Sequence, residues 1–528
     1  MRNEFVLFTI LSLLMVGLLS YFVWPAFWWA MIIVGPILWI GWYDMLQQKH
    51  AIMRNFPILG RARYLMEEAR PKLYQYFIES DTNGRPISRI FRSVVYQRAK
   101  NELDTTPFGT QLNVYEEGYE WMNHSIAALD AHELPQHPKI LVGGPNCKQP
   151  YDASLFNISA MSFGSLSKTA VESLNGGAEI GKFAHNTGEG GISPYHTKHG
   201  GDLIYQIGTG YFGSRSKDGN FSPVEFQKRC ALPQVRMIEL KLSQGAKPGH
   251  GGILPAKKNT EEISKIRGVE KGTDVLSPPY HKAFSTPRGL IQFIGQMQEL
   301  SGGKPVGFKL CIGQKSEFLA ICKAMIEEQI YPDFIALDGG EGGTGAAPLE
   351  FSNSVGSPFK EGLAFVHDAL VGFGIREHIK IIASGKVITG FHIFRAIALG
   401  ADATYSARAM MLALGCIQAL ECNKNTCPTG VATQNPELVA GLVVEDKKHR
   451  VAQYHHETIK SFVELMAAAG IHHPSEINRH HVHRRVSMNQ SKKYSEIYPY
   501  LKKNCLLYKE SIPQDWQTDM TLADPDQF

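Results

Sequence analysis

The sequence predicts an α/β protein: a (β/α)8 TIM barrel with an N-terminal transmembrane helical hairpin. Three observations carry that prediction. From about residue 150, short apolar runs alternate with amphipathic stretches, as in NISAMSFG, VRMIELKL, VGFKLCI, DFIALDGG, IKIIASG and ADATYSARA. Most of these runs end in Gly-rich turns, and repeated strand–helix units over roughly 300 residues match one eight-fold barrel. At the other end of the chain, Phe5 to Tyr43 contains no charged residue. A doubly wound open sheet is the architectural alternative.

The first apolar run, FVLFTILSLLMVGLLSYFVW, is long enough to span a bilayer, which takes about 20 apolar residues as helix. A second run, FWWAMIIVGPILWIGWY, follows, with Pro25 at the turn between them. Trp24, Trp28, Trp29, Trp39, Trp42 and Tyr43 cluster toward the ends, as interfacial anchors do. Lys49, Arg54, Arg61 and Arg63 come next, so the positive-inside rule expects a two-helix membrane protein with its catalytic domain in the cytoplasm. A cleaved signal peptide competes with this reading, but a second apolar segment follows and no small-residue cleavage site is visible. Residues 1–45 are therefore read as the hairpin and 46–115 as a helical connector rich in Arg and Tyr. RARYLMEEARPKLYQYFIES within that connector has helical patterning on both sides of Pro71.

The 528 residues are 44% hydrophobic and 20% charged, which allows a large core. A net charge of +4 gives no sign of a broad nucleic-acid-binding surface. Eight Cys in so long a chain do not make a disulfide scaffold, and a reducing compartment fits their use. The segment after about residue 470 is polar. Its His tracts, HHP and HHVHRR, lack carboxylate or Cys partners at ligand spacing and read as solvated tail.

Five patterns bear on chemistry. Cys416, Cys422 and Cys427 are spaced C-x5-C-x4-C, too wide for a CxxC redox pair and one thiol short of a four-cysteine zinc site. Three thiolates followed by Pro428 suit an iron–sulfur cluster, and three separate core cysteines fit the spacing equally well. The Gly-rich turns DGGEGGTGAAP and ASGKVITG, with the strand end at Ser406 and Ala407, lie where late barrel loops commonly bind phosphate. No GxGxxG fingerprint opens a strand–helix unit, so a Rossmann nicotinamide site is not indicated. In ELKLSQGAKPGHGGILP, Lys241, Gln244 and Lys247 could clamp a dicarboxylate or form a solvated loop. Lys309 stands at the end of an apolar strand, where a charge needs a partner. Glu189, among the glycines of AHNTGEGGISP, suits a catalytic carboxylate or a turn stabiliser.

The runs AMSFGSLS, NTGEGG, KLSQGAKPGHGG, SPPYH, DGGEGGTGA and CNKNTCPTGVATQ resemble, in order, the FMN-binding synthase domain of glutamate synthase. The resemblance covers roughly residues 115–470. It makes residues 116–470 a glutamate synthase-like barrel carrying an iron–sulfur loop, with 471–528 as a C-terminal tail. It implies FMN, with Met161 and Ser162 beside the flavin ring and Lys309 near its pyrimidine edge. Gly339, Gly340, Gly343, Thr344, Gly345, Ser384, Gly385, Ser406 and Ala407 would hold the phosphate. It also implies a 3Fe-4S cluster on Cys416, Cys422 and Cys427. Glu189, Lys241, Gln244 and Lys247 match positions at the substrate site, where 2-oxoglutarate and ammonia condense to an imine that is reduced to glutamate.

The departures from the family are specific. The chain starts MRNEF, without the N-terminal Cys of a glutaminase domain, so no glutamine hydrolysis is expected. The family often reads EGGQLP where His250 to Pro255 stand here, so a charge and an amide give way to His250 and Ile253. The expected function is thus a membrane-anchored FMN and iron–sulfur oxidoreductase reducing 2-iminoglutarate or a similar imine. Its electrons would come from a donor protein or quinone. The alternatives are a non-catalytic electron-transfer or redox-sensing subunit, an N-methylglutamate synthase-like enzyme, and a flavin isomerase, against which the three cysteines argue.

Overall fold

The computed structural model describes residues 1–528. It divides into two compact units, Met1–Pro86 and Ile87–Phe528.

In the first unit, helix α1 (Arg2–Phe22) and helix α2 (Met31–Leu46) are joined by a 3-10 turn, Pro25–Ala30. Pro25 opens that turn, where a missing N–H costs no helical hydrogen bond. Both spans, Arg2–Phe22 and Pro25–Leu46, are long and apolar enough to cross a bilayer. The Phe5 ring occupies the space a side chain on Gly41 would need, so glycine permits the close approach of the two helices. Phe5, Leu38 and Met45 form a small buried cluster. Asp44, at the end of α2, is fully buried, pairs with Arg61 (NH2 to Oδ1, 2.7 Å) and accepts the Ile58 N–H at 3.0 Å. Arg61 lies in the first turn of helix α3 (Gly60–Leu73), which carries Pro71 in its last turn.

The second unit begins with helix α4 (Arg89–Lys100) and is built on a closed eight-stranded barrel. Its strands are β1 (Phe156–Ile158), β2 (His185–Asn186), β3 (Leu203–Ile207), β4 (Val235–Lys241), β5 (Val306–Leu310), β6 (Phe334–Asp338), β7 (Lys380–Ser384) and β8 (Ala403–Ser406). Each is parallel to the next, and β8 closes on β1 through Ser406 opposite Ile158. The architecture is the TIM barrel expected from the sequence. Every residue of β3, β5 and β6 is buried, which explains why parallel strands read as continuous apolar runs.

Alternation along β6 separates two cores. Phe334 and Ala336 share an inner cluster with Ile204, Met237, Ile382 and Tyr405. Ile335 and Leu337 pack in the outer layer with the helices. An antiparallel hairpin, Lys139–Val142 with Tyr151–Ser154, adds Val142, Tyr151 and Ala153 to the inner cluster.

The helical layer includes α5 (Lys168–Gly181), α6 (Pro287–Leu300), α7 (Lys315–Glu328), α8 (Phe359–Gly372), α9 (Gly390–Ala398) and α10 (Val444–Ala468). Ser167 and Thr286 cap α5 and α6 by accepting the N–H of Ala170 and Gly289. A Cβ on Gly177 would sit 2.6 Å from Val451, so glycine lets α5 lie close against α10.

The segment read as a solvated tail is folded onto the barrel. The strand Glu120–Met122 pairs with the hairpin β9 (Val482–Ser487) and β10 (Gln490–Lys493). Arg479, among the histidines, is 0% exposed; its guanidinium pairs with Asp368 of α8 at 2.8 Å and lies 4.4 Å from the Tyr500 ring centre. Glu120 joins the same face, bonded by Arg395 at 2.7 Å and by the Tyr494 hydroxyl at 2.7 Å. Polar composition pointed outward, and charge pairing with the helical layer holds the segment in.

Candidate functional site

The barrel gathers its polar residues at the C-terminal ends of the strands. β2 ends at Asn186, and the following turn reverses at Gly188, whose φ is +65°. A Cβ there would meet the Ser162 N at 2.6 Å, so glycine brings this turn against the loop after β1. The turn delivers Glu189 to the Lys241 ammonium, 3.0 Å away. Burial alone raises the Glu189 pKa, but Lys241 outweighs it, with Arg267 and Lys247 adding, so the carboxyl is held below its ordinary value.

Lys247 follows on the loop after β4. Its Nζ donates to the Ala346 carbonyl at 2.9 Å, tying this loop to the Gly-rich turn after β6. Burial, helped by Lys241, lowers its pKa to about 8, against the attraction of Glu189. The Gln244 backbone carbonyl accepts the Lys247 N–H at 3.3 Å, while its side chain stands half-buried in the loop.

Beneath these groups, Lys309 stands directly opposite Lys241 in the β4–β5 ladder. Its Nζ lies 3.2 Å from Asp338 Oδ2 at the end of β6. Burial would lower the Lys309 pKa, but Asp338 and Glu239 outweigh it and raise it, so the group remains an ammonium ion. Glu239 is wholly buried and accepts from Asn186 Nδ2 at 2.9 Å and Gln206 Nε2 at 2.6 Å. Burial raises its pKa, opposed by Lys309.

Three residues that the sequence patterns did not mark belong here. Arg267 is buried, and its NH2 donates to the Phe163 carbonyl at 3.1 Å and Ser162 Oγ at 3.3 Å. Burial lowers its pKa to about 10, opposed by Glu189. Glu239 is the second and Arg408 the third. Arg408 donates to the Glu341 carbonyl at 2.7 Å and lies against Gly343. No short-range spacing links Arg267 or Arg408 to the other site residues. Glu239 carried one signal: a charge two residues before Lys241 in a strand buried on both faces.

The candidate phosphate loops converge less uniformly than the resemblance implied. The Gly339 N–H donates to Ser384 O at 2.9 Å and the Gly340 N–H to Ser357 O at 2.8 Å, so both amides are already used by the protein. Gly343, Thr344 and Gly345 form the exposed tip of that loop. Ser384 ends β7, Gly385 packs against Phe359, and Ser406 Oγ donates to the Val387 carbonyl at 2.7 Å, joining the last two strand ends. Ala407 caps the short helix Arg408–Ala413. Met161 is buried and Ser162 half-buried after β1. A glycine tip, an Arg beside it and a buried ammonium on the neighbouring strand fit an anionic cofactor such as FMN.

The three-cysteine loop turns through left-handed Gln418, Leu420 and Asn425. Cys416 Sγ accepts the Gln418 N–H at 3.4 Å. Cys427 is surrounded by the backbone amides of Ala432, Thr429 and Val431 and by the Thr429 hydroxyl. Burial raises its pKa, but these donors outweigh it and lower it, favouring thiolate. Lys258 stabilises this loop: its Nζ donates to Ala432 O at 2.8 Å and Ser165 O at 3.1 Å, and its charge acts on Cys422 and Cys427. No three His, Cys, Asp or Glu groups converge tightly enough for a single metal ion. Burial instead raises the pKa of the other two thiols, to about 12 at Cys416, so the backbone donors favour a thiolate at Cys427 alone.

The family model described as a conserved region in glutamate synthase matches residues 115–472. The chain belongs to the glutamate synthase family. It is 38% identical over 492 residues to the glutamate synthase large subunit-like protein YerD of Bacillus subtilis, covering 85% of this chain and 93% of YerD. It is 38% identical over 317 residues to the archaeal glutamate synthase (NADPH) of Methanocaldococcus jannaschii, covering 60% of this chain and 58% of that one. Among solved structures, it is similar to a flavocytochrome b2 mutant with pyruvate bound, at TM-score 0.41 and 12% identity over 80% of this chain and 85% of that chain. A mandelate oxidase mutant with benzaldehyde matches at TM-score 0.43 and 13% identity, over 82% of this chain and 98% of that chain. This glutamate synthase family member thus shares most of its length with YerD and about three fifths with the archaeal enzyme.

Proposed function

We propose that the protein is a membrane-anchored, FMN-dependent oxidoreductase that reduces an imine, 2-iminoglutarate or a close relative, to an amino acid. The observation that carries this reading is the convergence of Glu189, Lys241, Lys247 and Arg267 above the buried Lys309–Asp338 pair at the barrel mouth. When bound, FMN supplies the hydride equivalent and a 3Fe-4S cluster supplies single electrons to it.

The chain's own residues do the rest. Arg267 and Lys247 bring cations to the substrate carboxylates, and Arg267 is held for this by Ser162 and Phe163. Burial lowers the Lys247 pKa to about 8, so its ammonium would be able to give a proton to the imine nitrogen. Lys241 keeps Glu189 ionised, which holds a carboxylate ready to orient the cationic nitrogen. Lys309 sets a fixed positive charge where a reduced flavin ring would carry negative charge. Gly343 to Gly345 with Arg408 would hold the FMN phosphate, and Cys416, Cys422 and Cys427 the cluster.

The amine source would be free ammonia, another amine or a partner protein, and the electron donor a protein or quinone. Anaerobic reduction of the detergent-purified protein, followed by addition of 2-oxoglutarate and ammonia, tests the reading. Reoxidation that needs both substrates supports it, and flavin that stays reduced with both present overturns it.

A second reading, an electron-transfer or sensing subunit, draws on His250 and Ile253. The His250 ring sits edge-on to Phe351 at 5.2 Å and Nδ1 lies 2.9 Å from the Gly251 carbonyl, so this imidazole is occupied within its own loop. Absence of any 2-oxoglutarate effect on the flavin spectrum would favour it.

A further inference from the structure

A cavity of about 870 Å³ lies at the end of the barrel opposite the candidate site residues. Ser154, just ahead of β1, and Gly181, the last residue of α5, line its floor. One face of α10 from Asp446 to Ile459 forms its wall, with Lys100 and Asn101 at the end of α4 closing a side. Ser154 and Lys182 precede barrel strands, whereas Glu189, Lys241 and Asp338 lie at or beyond strand ends. The cavity therefore faces away from the candidate active site. Its volume falls within the roughly 300–1,000 Å³ of small-molecule and cofactor sites.

The lining is rich in cations. Lys100, Lys139, Lys182 and Arg450 contribute to it, and Asp446 is its single carboxylate. Each cation has a partner at present: Glu102 at 3.6 Å, Asp152 at 3.4 Å, Glu179 at 2.5 Å and Asp446 at 2.9 Å respectively. Glu102, Asp152 and Glu179 lie outside the lining and their side chains are 41–62% exposed. Exposed pairs of this kind are worth about 0–1 kcal/mol, so an incoming anion can recruit these side chains at little cost.

Helix ends account for part of this charge. Lys100 ends α4 and Lys182 follows α5, where a cation favours the helix dipole. That account does not reach Lys139, which lies on a strand, or Arg450, which lies in the first half of α10. The His455 imidazole is buried, stacks on Phe183 at 4.0 Å and shares a 2.9 Å hydrogen bond with Ser154 Oγ. Burial pushes its pKa down to about 3. His137 and His456, rings 5.7 Å apart, also face the space.

We propose that this cavity is a small-molecule site, which takes a phosphate-bearing ligand of nucleotide size through Lys139, Lys182 and Arg450, with the His137 and His456 imidazoles against its ring. The test is calorimetric titration of the FMN-saturated full chain in detergent with ADP at low salt, and with inorganic phosphate as the smaller probe. FMN saturation keeps the probes from the barrel mouth. ADP is expected to bind saturably, at one site and more tightly than phosphate. The double substitution K139E/K182E, at exposed positions that leave the fold intact by circular dichroism, should weaken ADP at least tenfold. No saturable ADP binding, binding no tighter than phosphate, or an affinity unchanged in K139E/K182E would each overturn the proposal.

Discussion

Lys309 and Asp338 meet at 3.2 Å between neighbouring strands β5 and β6, with side chains only 5% and 10% exposed. Asp338 also accepts the Gly245 N–H at 3.2 Å, so one carboxylate ties the floor of the site to the substrate loop. Removing it leaves a buried ammonium with only the more distant charges of Glu239 and Glu189 to offset it. Asp338→Ala is expected to lower the unfolding free energy by about 3–5 kcal/mol. It should also weaken FMN retention. Denaturant unfolding and flavin content after gel filtration measure the two effects, and a variant of wild-type stability would count against the pair.

The Lys247 ammonium should govern the alkaline side of the pH profile. Its pKa in the folded protein is about 8, below the ordinary lysine value, because burial disfavours the charged form. The protonated form prevails below that pH and is lost above it. Imine-reducing kcat/KM is thus expected to be level below pH 8 and to fall above it. Lys247→Arg should move that fall upward, and Lys247→Met should remove it along with most of the activity. The same depression has a stability consequence: the folded state resists the proton, so the penalty is present below pH 8 and relieved as pH rises toward the unfolded lysine value.

Arg267 is expected to act on substrate binding. A charge-assisted hydrogen bond contributes about 1.5–3 kcal/mol. Arg267→Ala should therefore cut kcat/KM about 10- to 100-fold, mainly through KM. Steady-state kinetics with a reduced donor measures it. An unchanged KM would remove Arg267 from the carboxylate site.

In the cysteine loop, Cys422→Ser should abolish the three-iron EPR signal and donor-driven turnover while FMN stays bound, because the flavin groups lie on different strands. Full donor-driven activity in that variant would refute the electron path through the loop.

Residues 1–45 should account for membrane association. A chain lacking them is expected in the soluble fraction after ultracentrifugation, with the full chain in the membrane pellet until detergent is added. Full chain found soluble without detergent would argue that α1 and α2 do not enter a bilayer.

The barrel itself was legible in the sequence. Apolar runs such as VGFKL and DFIALD became β5 and β6 because parallel strands are buried on both faces and cannot hide their hydrophobicity. The glycine turns and Glu189, Lys241 and Lys247 stood out in the sequence because each motif is local, and the fold brings Glu189 to Lys241 at 3.0 Å. The two apolar helices were legible for the same reason, since helix length and composition are properties of a single segment.

What only the tertiary structure decided is who meets whom. Arg267 and Arg408 reach the site from segments with no motif of their own, and Glu239 supports Lys309 from an adjoining strand. Arg479 reads as part of a solvated basic tail, yet Asp368 and Tyr500 bury it. Gly339 and Gly340 read as phosphate donors, yet Ser384 and Ser357 already take their amides. In every one of these cases the deciding partner lies on another element. The energy of a buried charge or amide depends on that partner, and only the folded chain brings the two together.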